Sequence, residues 1–99
     1  MKHISSADNK NIKLAVKLAD KKTRDRESLF FVEGRNSTLE VLKRPELVTS
    51  IFMDDSRQGE YQELISEYNH LEWYSVSSQL MKRICQTETP QGIAAIVRK

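Results

Sequence analysis

Leu29-Phe30-Phe31-Val32-Glu33-Gly34 decides the fold. Four aromatic or aliphatic residues stand between a charged run and a glycine, and a short continuous apolar run bounded in this way reads as a buried strand. The spacing then changes. Ser37, Leu39, Val41 and Leu42 follow a helical interval, and Asn36 and Ser37 are residue types that cap the free amides of a first helical turn. Glu33-Gly34 is therefore expected to be a strand-to-helix corner. In open α/β sheets, ligands collect at the carboxyl ends of strands, where unpaired donors of the next helix face outward, so this corner is the first candidate site.

Working outward from it, the chain alternates between the two periodicities. On the amino-terminal side, Ser5, Asp8 and Asn9 offer caps for a first helix, and Ile12, Ala15, Val16, Leu18 and Ala19 form its inward stripe. Lys10, Lys13, Lys17 and Lys21 lie along the other side at offsets of three, four and four. A solvated face explains these lysines as well as a phosphate-binding one does. Lys21-Lys22-Thr23-Arg24-Asp25-Arg26 tips the balance toward nucleic acid, because it is expected to carry the positive charge into a loop whose long side chains reach a phosphate backbone.

On the carboxyl-terminal side, the helix after the corner should end near Lys43-Arg44, before Pro45. Leu47 to Met53 reads as a strand, Gln58 to Tyr68 as a helix, and Glu72 to Val76 as a third strand. Ser77 caps a helix that turns Leu80, Met81, Ile84 and Cys85 inward, with Lys82 and Arg83 elsewhere. After the Thr87 to Gly92 turn, Ile93 to Val97 is a final buried strand. Trp73 and Tyr74 are assigned to the core rather than to base stacking, and Cys85 to a buried structural thiol. Asp54 and Asp55 are read as solvated charges, since no histidine, phosphate loop or nucleophile accompanies them. Four strands separated by helices make an α/β unit, a mixed or largely parallel sheet covered on both faces.

With 99 residues, 38% hydrophobic and 30% charged, the chain suits one domain with one modest core. It has no apolar run of the roughly 20 residues that a spanning helix needs and no signal-peptide pattern, so a cytoplasmic location without membrane partners is expected. One cysteine and two histidines leave no metal-ligand cluster. The net charge of +2 hides a partition. Residues 1–26 hold eight cations against three acids, residues 46–81 one against seven, and residues 82–99 four against one. A basic region attracts a polyanion while the acidic remainder limits nonspecific association, which makes nucleic acid the leading partner.

Asn9-Lys10-Asn11-Ile12-Lys13, Lys17-Leu18, Lys21-Lys22-Thr23-Arg24, Phe30-Phe31-Val32-Glu33-Gly34 and Thr89-Pro90-Gln91-Gly92-Ile93 occur in an order and spacing that resembles the amino-terminal substrate-binding domain of the SpoU (TrmH-like) RNA 2'-O-ribose methyltransferases. The resemblance covers nearly the whole chain. It implies a three-layer α/β/α sandwich like that of the L30e and L7Ae proteins, with a four-stranded mixed sheet. It also implies that residues 1–99 are a single RNA-binding domain, without the carboxyl-terminal knotted domain that binds S-adenosylmethionine, dimerises and carries the catalytic residues. No catalytic residue and no cofactor site is then expected in these residues, and no methyltransferase activity of their own. The corner corresponds to the turn with which L7Ae-like proteins contact RNA, which singles out Gly34, Asn36 and Thr38, while Arg35 and Ser37 match it only loosely.

The resulting expectation is a domain that binds structured ribosomal or transfer RNA and presents a ribose hydroxyl to a catalytic domain, in a full-length enzyme that is a homodimer. Lys13, Lys17, Lys21, Lys22, Arg24 and Arg26 supply phosphate contacts, with Arg35, Asn36, Lys82 and Arg83 in support. Two other readings remain open. One is a stand-alone kink-turn RNA binder of the L7Ae/L30e type, the other a protein-interaction module whose basic strip docks an acidic partner.

Overall fold

β5 (Ile93–Arg98), the last element in the chain, lies inside the sheet. Its run Ile93-Ala94-Ala95-Ile96-Val97 is buried throughout, because neighbours flank it on both edges and helices cover both faces. The computed structural model, which describes residues 1–99, places it between β3 (Val48–Asp54) and β2 (Leu29–Glu33), antiparallel to each. β4 (Trp73–Val76) and β1 (Lys2–Ile4) extend the sheet from β3 in parallel, giving the order β1-β4-β3-β5-β2.

The sheet thus has five strands, where four were expected. β1 escaped the sequence reading because three residues, one lysine and one histidine among them, carry no usable periodicity. β2 is a strand as expected, but it forms an edge and all five of its residues are only half-buried. A strand with one neighbour keeps one flank open to water.

Alternation along the central strands separates two cores. Phe52, Ala94 and Ile96 face α1 (Lys10–Lys17) and α5 (Ser78–Ile84), which contribute Ile12, Ala15, Leu80, Met81 and Ile84. Ile51, Met53, Ile93, Ala95 and Val97 face the other side, where α3 (Arg35–Val41), α4 (Gln62–Glu67) and two 3-10 segments, Pro45–Leu47 and Asp55–Tyr61, close the layer with Leu42, Tyr61 and Leu64. The result is an α/β/α sandwich. Phe52 is fully buried, and its ring stacks on Tyr74 at 5.8 Å between centroids. Burial of such a side chain stabilises the fold by about 1.5–3 kcal/mol.

Three local expectations are corrected. Lys21 to Arg26 is not a loop but most of α2 (Lys21–Glu27), which packs on β2 beside the first core through the buried Thr23 and ends at Ser28 in a left-handed conformation (φ 54°). The helix read over Gln58 to Tyr68 is a 3-10 segment that passes into α4. Asp54 is not a solvated charge: only 7% exposed, it accepts hydrogen bonds from the Ser56 amide (2.9 Å), the Ser56 hydroxyl (2.7 Å) and the Ser78 hydroxyl (2.8 Å). Burial pushes its carboxyl up, but these donors outweigh burial and hold it below the usual range. It joins the carboxyl end of β3 to the start of α5.

Candidate nucleic-acid interface

The first helix takes its phase from its cap. Asn9 Oδ1 accepts from the Asn11 amide at 2.8 Å, and the turn that follows points Ile12, Ala15 and Leu18 at the sheet. Lys10, Lys13 and Lys17 are left on the outer side. Val16 and Ala19, expected inward, are exposed, since the buried stripe is narrower than the run of apolar residues. In α5, Ser77 Oγ accepts from the Leu80 amide at 3.1 Å, and Lys82 and Arg83 face outward.

α1 and α5 lie side by side on one sheet face, and the groove between them brings Lys13, Lys17 and Arg83 together. Ala7, Asp8 and Val16 complete its lining, and its volume is about 330 Å³. Exposed Val16 gives it an apolar patch among cations, suited to a ribose or base face beside a phosphate.

The two helical layers differ in charge. α1, α2 and α5 hold nine cations against Asp25 and Glu27, whereas the helical segments of the opposite layer hold Arg35 and Arg57 against six acids. The acidic middle of the sequence is thereby mapped to the far side of the sheet.

Not every cation is free. Lys21 pairs with Asp25 at 2.7 Å, and Lys99 reaches the same carboxylate at 2.8 Å. The hydrogen bond from Lys21, then that from Lys99, lower the Asp25 pKa below its ordinary value. Arg26 lies 4.0 Å from Glu27. Arg24 is half-buried and donates to the Leu18 and Ala19 carbonyls at 2.9 Å each, satisfying the otherwise unpaired carboxyl end of the first helix. Its work is structural. Lys10, Lys13, Lys17, Lys22, Lys82 and Arg83 carry no ion pair.

At the corner the chain turns at Gly34 (φ 93°, ψ 161°), a backbone region essentially reserved for glycine. Gly34 itself occupies the capping position of α3, with Asn36 and Ser37 inside the first turn and no side chain of that helix acting as cap. Gln91 does this from across the sheet, its Oε1 accepting from the Arg35 amide at 2.6 Å. A Cβ at Gly34 would lie 3.0 Å from that oxygen. The Gln91 carbonyl in turn accepts from the Tyr61 hydroxyl at 2.8 Å, and Glu33 accepts from the Gln86 amide at 2.7 Å. Between corner and loop lies a polar cleft of about 330 Å³, lined by Glu33, Gly34, Asn36, Ser37, Cys85, Thr87, Thr89, Pro90 and Gln91.

The candidates of the corner divide. Gly34 and Asn36 line this cleft, but Thr38 is completely buried and its hydroxyl has no partner. Its position rules out direct contact with a ligand. Arg35 projects to the opposite layer, lining a groove with Glu60, Glu63 and Glu67. Cys85 borders the cleft but is inert, because burial, and then Glu33, push its thiol up to about 12. No three His, Cys, Asp or Glu side chains converge as a metal site.

The capping of α3 by Gln91 and the partners of Asp54 were missed in the sequence. Pro90 and Gly92 marked the turn that carries Gln91, but an uncharged side chain reaching 56 residues back gives no local signal.

Residues 9–95 match the family described as the MRM3-like substrate binding domain. The chain is 34% identical over 97 residues to the 23S rRNA (guanosine(2553)-2'-O)-methyltransferase RlmP of Bacillus subtilis, a match that covers 97% of this chain and 37% of that protein. An rRNA methyltransferase from Sinorhizobium meliloti superposes with a TM-score of 0.77 at 20% identity, covering 99% of this chain and 37% of the other, a likeness of fold. A structure from Porphyromonas gingivalis assigned to the TrmH family of RNA methyltransferases gives 0.69 at 26% identity, over 91% of this chain and 35% of the other. The chain therefore spans little more than a third of the length of each of these relatives.

Proposed function

Because the chain belongs to the MRM3-like substrate binding domain family, we propose that it is the RNA-recognition domain of an rRNA 2'-O-ribose methyltransferase of the SpoU/TrmH type. The observation that carries this reading is the layer of α1, α2 and α5, with nine cations against two acids and a groove joining Lys13, Lys17 and Arg83. Phosphates bind along this layer, to Lys13, Lys17, Lys22 and Arg83 first, with Lys82 in support, and Lys21 and Arg26 after release from their acids. The corner offers a second contact through Gly34 and Asn36. Folded RNA is held mainly by its shape and backbone, which suits a broad cationic face better than a deep pocket.

The remainder of the proposal concerns what lies outside this chain. A catalytic domain of the same protein, knotted and dimeric, supplies S-adenosylmethionine and the methyl transfer. The corner cleft does not fit that cofactor, because it is lined mostly by polar side chains and offers no aromatic wall for an adenine ring. The five-stranded α/β/α sandwich is compatible with an L30e/L7Ae-like ancestry, and an rRNA substrate with the cytoplasm.

Titration of the purified chain into labelled ribosomal RNA fragments and transfer RNA tests this reading. Saturable binding with preference for one folded ribosomal RNA, competed by that RNA and not by an equal charge of heparin, is expected. Equal competition by heparin, or no binding at low salt, would overturn it.

A further inference from the structure

Sheet edges are sticky unless a protein blunts them, and natural proteins do so with lysine, proline, bulges or very short strands. The β1 edge is blunted: it is three residues long, with Lys2 and His3 exposed. The β2 edge is not. Leu29-Phe30-Phe31-Val32-Glu33 contains neither lysine nor proline, pairs with β5 in unbroken register, and has no strand beyond it.

The pairing shows which backbone groups are free. Lys99 donates to the Ser28 carbonyl and Gly34 to the Ile93 carbonyl, so positions 28, 30, 32 and 34 spend their hydrogen bonds on the β5 side. Leu29, Phe31 and Glu33 therefore turn their amides and carbonyls outward, three donors and three acceptors in a row.

We propose that this edge takes β2 of a second copy of the chain, antiparallel and centred on Phe31. Only that centre gives all five strand residues a strand partner. It sets Phe31 against Phe31 of the second copy on the α1 and α5 side, and Phe30 against Val32 of the second copy on the other side, both favourable cross-strand combinations. Leu29 meets Glu33, with no like charges opposed. A centre one residue earlier, at Phe30, would put Glu27 opposite Glu33 of the second copy, and one residue later, at Val32, would leave Leu29 unmatched. The two-fold axis is perpendicular to the sheet, so both cationic layers lie on the same side and form one longer face. Their mutual repulsion weakens the pair at low salt. A contact of five strand pairs is small beside the roughly 1,200–2,000 Å² of a stable interface, so a weak, concentration-dependent association is expected.

Cysteine capture reads the register. Positions 30 and 32 of opposite copies form a pair without mutual hydrogen bonds, with Cα atoms about 4.5 Å apart, within disulfide range. Phe30→Cys and Val32→Cys chains are prepared separately and oxidised alone and mixed, the native Cys85 being buried. The mixture is expected to cross-link about tenfold faster than either variant alone, since neither thiol faces its own copy in this register. Cross-linking of a single variant at the rate of the mixture, or none in the mixture, overturns the proposal. Sedimentation equilibrium of the unaltered chain needs no variant. The dimer fraction should rise with salt, and a chain that stays monomeric near 1 mM at every salt concentration refutes the pairing.

Discussion

Replacing Lys13, Lys17 and Arg83 with alanine together should halve the salt dependence of RNA binding. Six cations of the basic layer carry no ion pair, and these three share the groove between α1 and α5. If each of the six neutralises one phosphate, log K falls with log salt at a slope of about −4 to −5, taking 0.7–0.9 per contact. Between 50 and 200 mM salt the intact chain then loses roughly 300- to 2,000-fold in affinity. The triple variant keeps three contacts, a slope of about −2 to −3, and a loss of only about 20- to 40-fold over the same range. Fluorescence anisotropy with one labelled ribosomal RNA fragment at four salt concentrations gives both slopes. Lys43 and Arg44 provide the control, since they pair with Glu40 and Glu46 beside the opposite layer. Their double alanine variant should leave the slope within about 0.5 of the original. All five side chains are exposed, so each change should move stability by no more than about 0.5 kcal/mol. A shallow slope in the unaltered chain, or an equal fall in the triple and control variants, would refute the assignment of RNA to this layer.

Three predictions concern stability. Thr38→Val removes a buried hydroxyl that has no partner and should stabilise the fold by about 1 kcal/mol, raising Tm by several degrees in calorimetry. A fall in Tm would show that the hydroxyl is satisfied. Gly34→Ala forces a Cβ onto a glycine-only backbone and toward Gln91, and should cost about 1–3 kcal/mol in urea unfolding; a neutral result would place the corner in another conformation. Cys85 has a folded pKa raised from 9.0 to about 12, so the stability held by its neutral thiol is complete below pH 9 and drains away as pH rises from 9 toward 12. The drain is about 1.4 kcal/mol per pH unit within that window. Cys85→Ala should flatten the profile above pH 9, and an unchanged profile would contradict the burial of the thiol.

What could be read in the sequence was what is local. The continuous run Ile93 to Val97 announced a buried strand, and the change of spacing at Glu33-Gly34 announced the corner. The position of β2 at an edge could not be read, because an apolar strand looks the same whether one or two neighbours flank it. The second helix, Lys-Lys-Thr-Arg-Asp-Arg-Glu, looked like a loop since one buried threonine is all the apolar face it has. Lys13, Lys17 and Arg83 were each noted, but only the packing of α1 on α5 makes them one groove. Asp54 reads as a charge at a strand end until its partner Ser78 arrives from 24 residues away. Long-range satisfaction of polar groups leaves no periodic trace.

The place of β5 also sets a schedule for synthesis. β2 has no other partner in the sheet, and β3 needs β5 to close its second flank. As the chain emerges from the ribosome at about 5–20 residues per second, β2 waits without a strand partner, and β3 with β4 on one flank only, until residues 93–98 clear the exit tunnel. Half-made chains therefore carry the most adhesive part of the molecule uncovered, and a stall anywhere between Asp54 and Gly92 exposes it to chaperones, proteases and other nascent copies. The sheet closes only when β5 takes its place between two strands made before it.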